Sequence, residues 1–456
     1  MKLILLSGGS GKRLWPLSND ARSKQFLRIL DDKFHTNKIS MVQRVWQQLK
    51  ISNLSDDSFI ATSQSQVEIL NNQLEDNIKL VVEPERRDTF PAIALAATYL
   101  YSMCGVNLNE TIAILPVDPY VDDNFFECIK ELDDVLFQSG ADIALIGVKP
   151  TYPSEKYGYI IPNYNERDNK YLSVHSFVEK PHKTKAQTMI DQGALWNCGV
   201  FAFKLDYLIN LLIEYGLPIQ YENMLRQYDT IPSNSFDYEV VEKTNNIVVK
   251  PFDGYWRDLG TWNTLTDEMS SSIIGRGHIS EDSYNSHLIN ELNLPVNVLG
   301  LSNIVVAVSP DGILVSDKSA SPRIKEVLKQ DTSRPMFEER RWGYYQVIDY
   351  SQNSENDHIL TKRICITKGN NLSYQYHVYR EEMWTVVSGE GELVLDNQYQ
   401  ILKKGDLIKI PPKTKHSVKA LTDLEIIEIQ LGSNLVEEDI IRINSEWSEI
   451  IKLCVV

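Results

Sequence analysis

The sequence predicts an α/β domain, then a small β connector, then a β-rich barrel or jelly roll. Three observations carry that expectation. Continuous apolar runs alternate with helical patterns through the first half. The pattern changes after about residue 265 to short β runs divided by turns. Residues 341–432 are β-rich with Gly turns throughout.

In the first half, residues 3–6, 58–61, 111–115 and 142–148 read as buried strands. None shows the alternation of a half-exposed strand, so parallel strands covered on both faces are expected. Residues 92–102 read as a helix beside them, and ligands should bind beyond the carboxyl ends of the strands. Residues 296–299, 304–308 and 312–315 are the β runs of the connector, with a turn at Ser309-Pro310-Asp311-Gly312. Residues 322–335 read as a helix plus linker. In the last domain, residues 392–395 precede a turn at Asp396-Asn397, residues 407–410 precede Pro411-Pro412, and residues 424–430 come after these. Residues 437–453 read as a closing helical tail.

The 456 residues suffice for two or three domains. A net charge of -16 argues against broad nucleic-acid binding, which needs basic surface, but not against a small anion held by a few local groups. The five cysteines are odd in number and form no CxxC pair, which fits a reducing cytoplasm. The first apolar run, residues 3–6, is too short for a signal-peptide core. No uncharged apolar stretch approaches bilayer-spanning length, so neither membrane nor nucleic acid is expected as a partner.

The first strand runs into Ser7-Gly8-Gly9-Ser10-Gly11-Lys12-Arg13. Glycines let backbone N–H groups approach phosphate oxygens, and Lys12 and Arg13 add positive charge there. Alone, this loop is equally an ordinary strand-to-helix turn. It has neither the Walker spacing nor the GxGxxG fingerprint.

The segments downstream of the loop are more specific. Leu14-Trp15-Pro16-Leu17-Ser18 and Lys24-Gln25-Phe26-Leu27 complete a signature that resembles GGxGxRLWPLS…PKQFL of the mannose-1-phosphate guanylyltransferases, with Ser23 in place of proline. Glu83-Pro84 and Arg87-Asp88-Thr89 resemble the family's base-recognition segment, where Asp88 replaces Asn and Phe90 replaces Ala. Leu115-Pro116-Val117-Asp118 resembles the metal-binding aspartate segment, with Pro119 in place of His. Tyr157-Gly158, Glu179-Lys180-Pro181, Trp196-Asn197, Phe236-Asp237-Tyr238 and Trp256-Arg257-Asp258 match further segments in order.

The resemblance implies a Rossmann-like, GT-A-like nucleotidyltransferase domain over residues 1–265. In it, Ser7, Gly8, Gly9, Gly11, Lys12, Glu83, Arg87, Asp88 and Thr89 bind GTP. Tyr157, Gly158, Glu179, Lys180 and Asn197 bind the sugar 1-phosphate. Asp118 and Asp258 hold Mg²⁺, which would reduce repulsion between two anionic substrates, and Arg13 and Lys24 neutralise charge on the reacting phosphates. Each residue has a plainer reading beside this one. Asp118 fits a turn, Lys180 a solvated strand end, Trp196 and Phe201 packing, and Cys198 a small buried residue.

In the second half, strand alternation turns Gln375 and His377 to one interior point, with Glu382 from the next stretch and His416 from a later one. One Gln, two His and one Glu make a divalent-metal donor set, although two histidines in a β domain are more often structural. Residues 369–389 and 405–416 resemble the two cupin motifs. With Arg341-Trp342-Gly343 upstream, they resemble the C-terminal domain of type II phosphomannose isomerases, which are fused to guanylyltransferases. That resemblance implies a cupin β-barrel over residues 336–456 and a connector over residues 266–335, with a left-handed β-helix as one form for it. It also implies Zn²⁺, Co²⁺ or a similar metal on Gln375, His377, Glu382 and His416, a catalytic or phosphate-binding Arg380, and a homodimer. The family has His where this chain has Met383; if that His handles a proton the isomerase is weakened, and if it only packs, Met suffices.

The leading expectation is therefore transfer of GMP from GTP to mannose 1-phosphate, with interconversion of mannose 6-phosphate and fructose 6-phosphate in the cupin. The alternatives are a transferase for another sugar 1-phosphate or nucleotide with a non-isomerase cupin, and a non-catalytic sugar-nucleotide sensor.

Overall fold

The computed structural model describes residues 1–9, 12–19, 21–32, 36–74, 78–164, 170–328, 334–354 and 357–454. The chain divides into two compact units. The first comprises residues 1–13, 23–67 and 74–270, and the second residues 14–22, 68–73 and 271–456.

The first unit contains β1 (Lys2–Ser7), β2 (Leu30–Asp31), β3 (Lys38–Ile39), β4 (Ser58–Ser63), β5 (Lys79–Glu83), β6 (Thr111–Pro116), β7 (Pro119–Val121) and β8 (Ile143–Val148). It continues with β9 (Tyr159–Pro162), β10 (Leu172–Val178), β11 (Leu195–Lys204), β12 (Ile247–Phe252) and β13 (Trp256–Asp258). Nine of these form one sheet in the order β5-β4-β1-β6-β11-β8-β12-β10-β9.

The expected parallel strands are present: β1 pairs parallel with β4 and β6, β4 with β5, and β8 with β12. The sheet is nevertheless mixed, because β11 lies antiparallel between β6 and β8. β11 is almost wholly buried, as its neighbours are, and burial on both faces looks alike in either direction. Parallel β1, β4, β5 and β6 bring their carboxyl ends to one edge. Gly8, the segment after Glu83, and Asp118 leave the sheet together there.

Helix Thr89–Ser102 begins three residues before the expected segment, with Asp88 as its N-cap. Ten of its fourteen residues are buried. It packs in the core with Ile4, Phe59, Ile114, Phe201, Phe203 and Phe236. Phe203 and Phe236 stack with ring centroids 5.7 Å apart, and Phe201 lies 5.1 Å from Phe236.

The second unit begins with the connector: β14 (Ile273–Ile274), β15 (Gly277–Ile279), β16 (His287–Asn290), β17 (Val296–Val298), β18 (Ile304–Ser309) and β19 (Gly312–Asp317). β14, β16 and β18 stack in parallel, as do β15 and β17, and the β18–β19 hairpin closes the stack. Leu288, Val298, Val306 and Val308 fill its interior.

The Leu-Trp-Pro-Leu-Ser segment belongs to this unit. Ser309 Oγ donates to Pro16 O at 2.6 Å, Asn19 Nδ2 to Asp311 at 2.9 Å, and Arg22 pairs with Glu291 at 2.8 Å. Gly312 sits at φ +151°, and a Cβ there would stand 2.6 Å from the Trp15 ring, so the position needs glycine. The expected helix between the connector and the last domain is short: a 3₁₀ turn, Ser321–Arg323, and one helical turn, Ile324–Val327.

The last domain contains β20 (Phe337–Arg340), β21 (Gly343–Ser354), β22 (Asp357–Ile366), β23 (Tyr374–His377), β24 (Arg380–Ser388) and β25 (Glu390–Leu395). It ends with β26 (Gln398–Lys403), β27 (Leu407–Ile410), β28 (His416–Ala420), β29 (Leu424–Gly432) and β30 (Ile440–Asn444). They form two antiparallel sheets, β20-β21-β22-β29-β24-β27 and β26-β25-β28-β23-β30, around Leu360, Trp384, Leu393, Val418 and Ile426. Residues 437–453 do not form the expected helical tail. Ile440–Asn444 is a strand on the edge of β23, and only Trp447–Ile450 and Ile451–Leu453 are helical. Three isoleucines in five residues favour a strand.

Phe203→Ala empties a fully buried aromatic site and should destabilise the first unit by about 3–5 kcal/mol. A urea titration of the variant with the wild type reads this loss; a change under about 1 kcal/mol would contradict the packing described.

Candidate active sites

Two antiparallel strands bring together aspartates 140 residues apart in sequence. β13 pairs with β7, and Asp258 stands opposite Pro119, the neighbour of Asp118. Lys24 lies between the two carboxylates, its Nζ 2.7 Å from Asp118 Oδ2 and 2.9 Å from Asp258 Oδ1. Burial works against the Lys24 charge, yet Asp118 and Asp258 hold its pKa above the ordinary value. Burial would likewise raise Asp258, but Lys24, then Arg13 and Lys156, hold it below the usual carboxylate range. A Cβ on Gly260 would stand 2.9 Å from Asp258 Oδ2, so the glycine lets this carboxylate turn inward.

Gly8, Gly9, Lys24, Glu83, Arg87, Asp88, Thr89 and Asp118 line one cavity. Ser7 ends β1 beneath the loop, fully buried, with its hydroxyl 3.2 Å from the Gln66 side chain and 3.4 Å from Gln25 Nε2. Ser23, the residue in place of proline, joins the same network: its Oγ is 2.9 Å from the Gln66 amide. Lys12 opens a 3₁₀ turn, Lys12–Leu14. Gly11 lies outside the described residues.

Glu83 is buried, which raises its pKa, and it accepts a hydrogen bond from Tyr228 Oη at 2.6 Å. Arg87 Nη2 donates to Ile231 O at 3.1 Å, and Nη1 pairs with Glu85 at 2.7 Å. Asp88 adopts φ +76°, a region that Asp and Asn tolerate best among non-glycine residues, and its carboxylate accepts from Thr89 N. Phe90 is fully buried near Tyr215, so this departure from the family pattern faces the core.

A second group of residues extends from the same cavity, which Asp237 also lines. Lys180 Nζ pairs with Glu179 at 2.6 Å. Asn197 Nδ2 donates to Asp237 at 2.8 Å, and its Oδ1 accepts from Gly199 N at 3.0 Å. A Cβ on Gly158 would meet Glu179 Oε2 at 2.6 Å, so only glycine leaves that carboxylate in place. Tyr157 packs against Trp196 and Trp256, with centroids 4.8 and 5.6 Å away. Burial and the nearby Glu179 carboxylate push Asp237 up to about 7. Cys198 is buried and its thiol pKa is raised by burial, which disfavours the nucleophilic thiolate.

In the cupin domain, donor atoms of His377, Glu382 and His416 lie within 4.8 Å of one another. His377 Nε2 is 3.1 Å from Glu382 Oε1, His416 Nε2 is 3.6 Å from Glu382 Oε2, and Gln375 is 3.5 Å from His377. His416 Nδ1 lies 2.9 Å from Thr414 O, so that nitrogen carries the proton and Nε2 is left with a lone pair. That Nε2 is buried and has no hydrogen-bond partner. An orphaned imidazole nitrogen facing a carboxylate fits a divalent metal.

Burial lowers the His416 pKa, consistent with a neutral ligand. Burial opposes the Glu382 charge, but His377, His416 and Arg380 hold its pKa well below the usual range. Arg380 Nε donates to Glu382 at 3.0 Å and Nη1 to Val436 O at 3.0 Å. Trp384 Nε1 donates to Glu382 at 3.2 Å. Glu382 and Trp384 alternate with Met383 along β24, and both are buried while Met383 is half-buried. Met383 therefore projects to the opposite face of β24 from Glu382.

Sequence reasoning assigned no role to Asp237, although its segment stood out, nor to Gln66 or Tyr228. Their only signals are single polar residues inside ordinary segments.

A family model described as nucleotidyl transferase matches residues 2–273, and one described as mannose-6-phosphate isomerase C-terminal matches residues 329–445. A mannose-1-phosphate guanylyltransferase of Salmonella montevideo is 29% identical, over 97% of this chain and 98% of that one. The xanthan biosynthesis protein XanB of Xanthomonas campestris is 31% identical over the same shares. A solved structure from Thermus thermophilus, described as a mannose-1-phosphate geranyltransferase, is 29% identical with a TM-score of 0.61. It covers 72% of this chain and 98% of its own.

Raised from its ordinary 3.8 to about 7, Asp237 favours folding most below the ordinary value, and the advantage is lost as pH climbs to 7. Asp237→Asn should therefore gain melting temperature relative to wild type at pH 8 and show the smallest difference near pH 4. A difference that is constant across this range would contradict the charge placement.

Proposed function

The chain belongs to the nucleotidyl transferase family and carries a mannose-6-phosphate isomerase C-terminal domain, and from that premise we propose that its first unit transfers GMP from GTP to mannose 1-phosphate. The products are GDP-mannose and pyrophosphate. The observation that carries this is the Lys24 bridge between Asp118 and Asp258, with Lys24 and Asp118 lining the same cavity as Gly8 and Gly9.

Asp118 and Asp258 would hold Mg²⁺, which supplies positive charge between two anionic substrates. The backbone of Gly8, Gly9 and Gly11, with Lys12, grips the triphosphate, and Ser7 braces the loop from below. Glu83, Arg87, Asp88 and Thr89 form the base end. Lys180 holds the sugar phosphate, Glu179 and Asn197 accept or donate to sugar hydroxyls, and Tyr157 with Gly158 shapes that end. Lys24 and Arg13 neutralise charge on the reacting phosphorus and the departing pyrophosphate. The sugar phosphate oxygen attacks the α-phosphorus directly, so alignment and electrostatics supply the rate.

The cupin domain interconverts mannose 6-phosphate and fructose 6-phosphate. Gln375, His377, Glu382 and His416 would hold Zn²⁺, Co²⁺ or a similar ion, which would supply Lewis acidity toward the sugar carbonyl. Arg380 fixes Glu382 for that role. The position of Met383 on the opposite face of β24 from Glu382 supports activity, because a substitution there does not remove a group from the Glu382 face. Residues 1–265, 266–335 and 336–456 are the functional divisions. The parallel stacking of β14, β16 and β18, and of β15 and β17, supports a β-helix as the connector. Nucleotide and sugar-phosphate substrates support a cytoplasmic location.

A pyrophosphate-release assay across four nucleoside triphosphates and several sugar 1-phosphates tests the transferase. GTP with mannose 1-phosphate should give the highest kcat/KM, another best pair would reassign the substrates, and no turnover with any pair would sink the proposal. Asp258→Ala should reduce transfer by on the order of 10³-fold or more and leave isomerisation intact. His416→Ala should do the reverse, with loss of bound cupin metal by elemental analysis. Parallel loss of both activities in a folded variant would contradict two independent sites.

A further inference from the structure

Five cations line the pocket around the cupin metal donors: Arg340, Arg341, Lys362, Arg380 and Arg442. Three are neutralised by carboxylates. Lys362 pairs with Glu437 at 2.6 Å, Arg340 with Glu338 at 2.5 Å, and Arg380 with Glu382 at 3.0 Å. Arg341 is tethered through Nη2 to Asn371 O at 3.2 Å. Among the described residues, neither Arg341 nor Arg442 has a carboxylate partner.

Arg442 stands in the middle of β30, directly opposite Gln375 on β23. Gln375 is in turn opposite His416 on β28. Residues directly opposite across antiparallel strands project to the same face, so Arg442, Gln375 and His416 form one row across three neighbouring strands. Strands lie roughly 4.8 Å apart, which places the Arg442 backbone roughly two such spacings from that of His416. Arg442 is exposed, and so accessible to a ligand that enters the pocket.

A hexose 6-phosphate carries its reacting carbons at one end and its phosphate at the other. If the first end sits at the metal donors, the dianion needs an uncommitted cation some way along the pocket wall. Arg380 does not meet this need, because its guanidinium is already shared between Glu382 and Val436 O. A guanidinium suits a phosphate because its fork of N–H donors matches two phosphate oxygens.

We propose that Arg442, with Arg341 lining the same pocket, holds the phosphate of the sugar phosphate in the cupin pocket. This rests on the isomerase reading of that pocket, but binding tests it separately from turnover. The recognised group is a phosphomonoester dianion, whether on the sugar or free.

The test uses the metal-loaded full chain as wild type, Arg442→Gln and Arg442→Lys. Calorimetry measures mannose 6-phosphate, inorganic phosphate and unphosphorylated mannose, beside isomerase and transferase kinetics. Arg442→Gln should weaken mannose 6-phosphate and phosphate binding by about 10–100-fold, as loss of a charge-assisted contact does. The KM for mannose 6-phosphate should rise similarly while kcat moves much less. Arg442→Lys should recover part of the loss, and metal content, transferase activity and mannose binding should not change.

Unchanged phosphate affinity in Arg442→Gln overturns the proposal, as does a loss explained by lost metal. If wild type binds mannose 6-phosphate through Arg442 but does not interconvert it, the isomerase reading fails and the phosphate site stands. If wild type binds neither phosphate nor mannose 6-phosphate, the site itself is refuted.

Discussion

Two ionised aspartates held side by side repel unless a cation stands between them. In the first unit that constraint is met by Lys24, which lies within 2.9 Å of both Asp118 and Asp258. The arrangement needs three separate parts of the fold. The turn after β6 supplies Asp118, the β7–β13 ribbon sets Asp258 opposite its neighbour, and the short helical turn Lys24–Phe26 delivers the lysine. Parallel strands with their carboxyl ends at one edge bring the glycine loop and Glu83 to the same place. The site is thus a consequence of strand direction as much as of its side chains.

The cupin pocket solves a related problem with the opposite balance. Glu382 is fully buried and is surrounded by Arg380, His377, His416 and the Trp384 indole. Burial and the Glu382 charge push the neighbouring Glu428 up to about 8, so only one of these two carboxylates is charged at neutral pH. With Arg340, Lys362 and Arg380 already paired, the charge left for a ligand lies along Arg341 and Arg442. The two family matches, residues 2–273 and 329–445, each contain one of these clusters.

Much of this was legible in the sequence, and what was missed has physical reasons. The strands at Leu3, Ser58, Thr111 and Ile143 showed as uninterrupted apolar runs because both faces are covered. The same coverage hid the direction of β11, since burial does not encode strand polarity. The tail was misread because Glu437–Asp439 and Trp447–Ile450 are helical turns that flank a strand, and a short strand on a sheet edge takes its identity from its partner β23. The family motifs marked Asp118, Asp258, Lys180 and the four cupin donors. They did not report that the Ser7 hydroxyl lies against Gln25 and Gln66, or that Trp15 packs on Gly312 of the connector. Asp237 and Arg442 depend on tertiary neighbours, which no local pattern in the sequence reports.

The central claim is that the sugar phosphate attacks the α-phosphorus of GTP in one step, aligned at the Lys24, Asp118 and Asp258 centre. The stereochemical course at that phosphorus tests it most directly. With a single diastereomer of GTP bearing sulfur on the α-phosphate, the sugar-nucleotide product should show inverted configuration. Retention would require two displacements, hence a covalent enzyme intermediate, and would contradict the account.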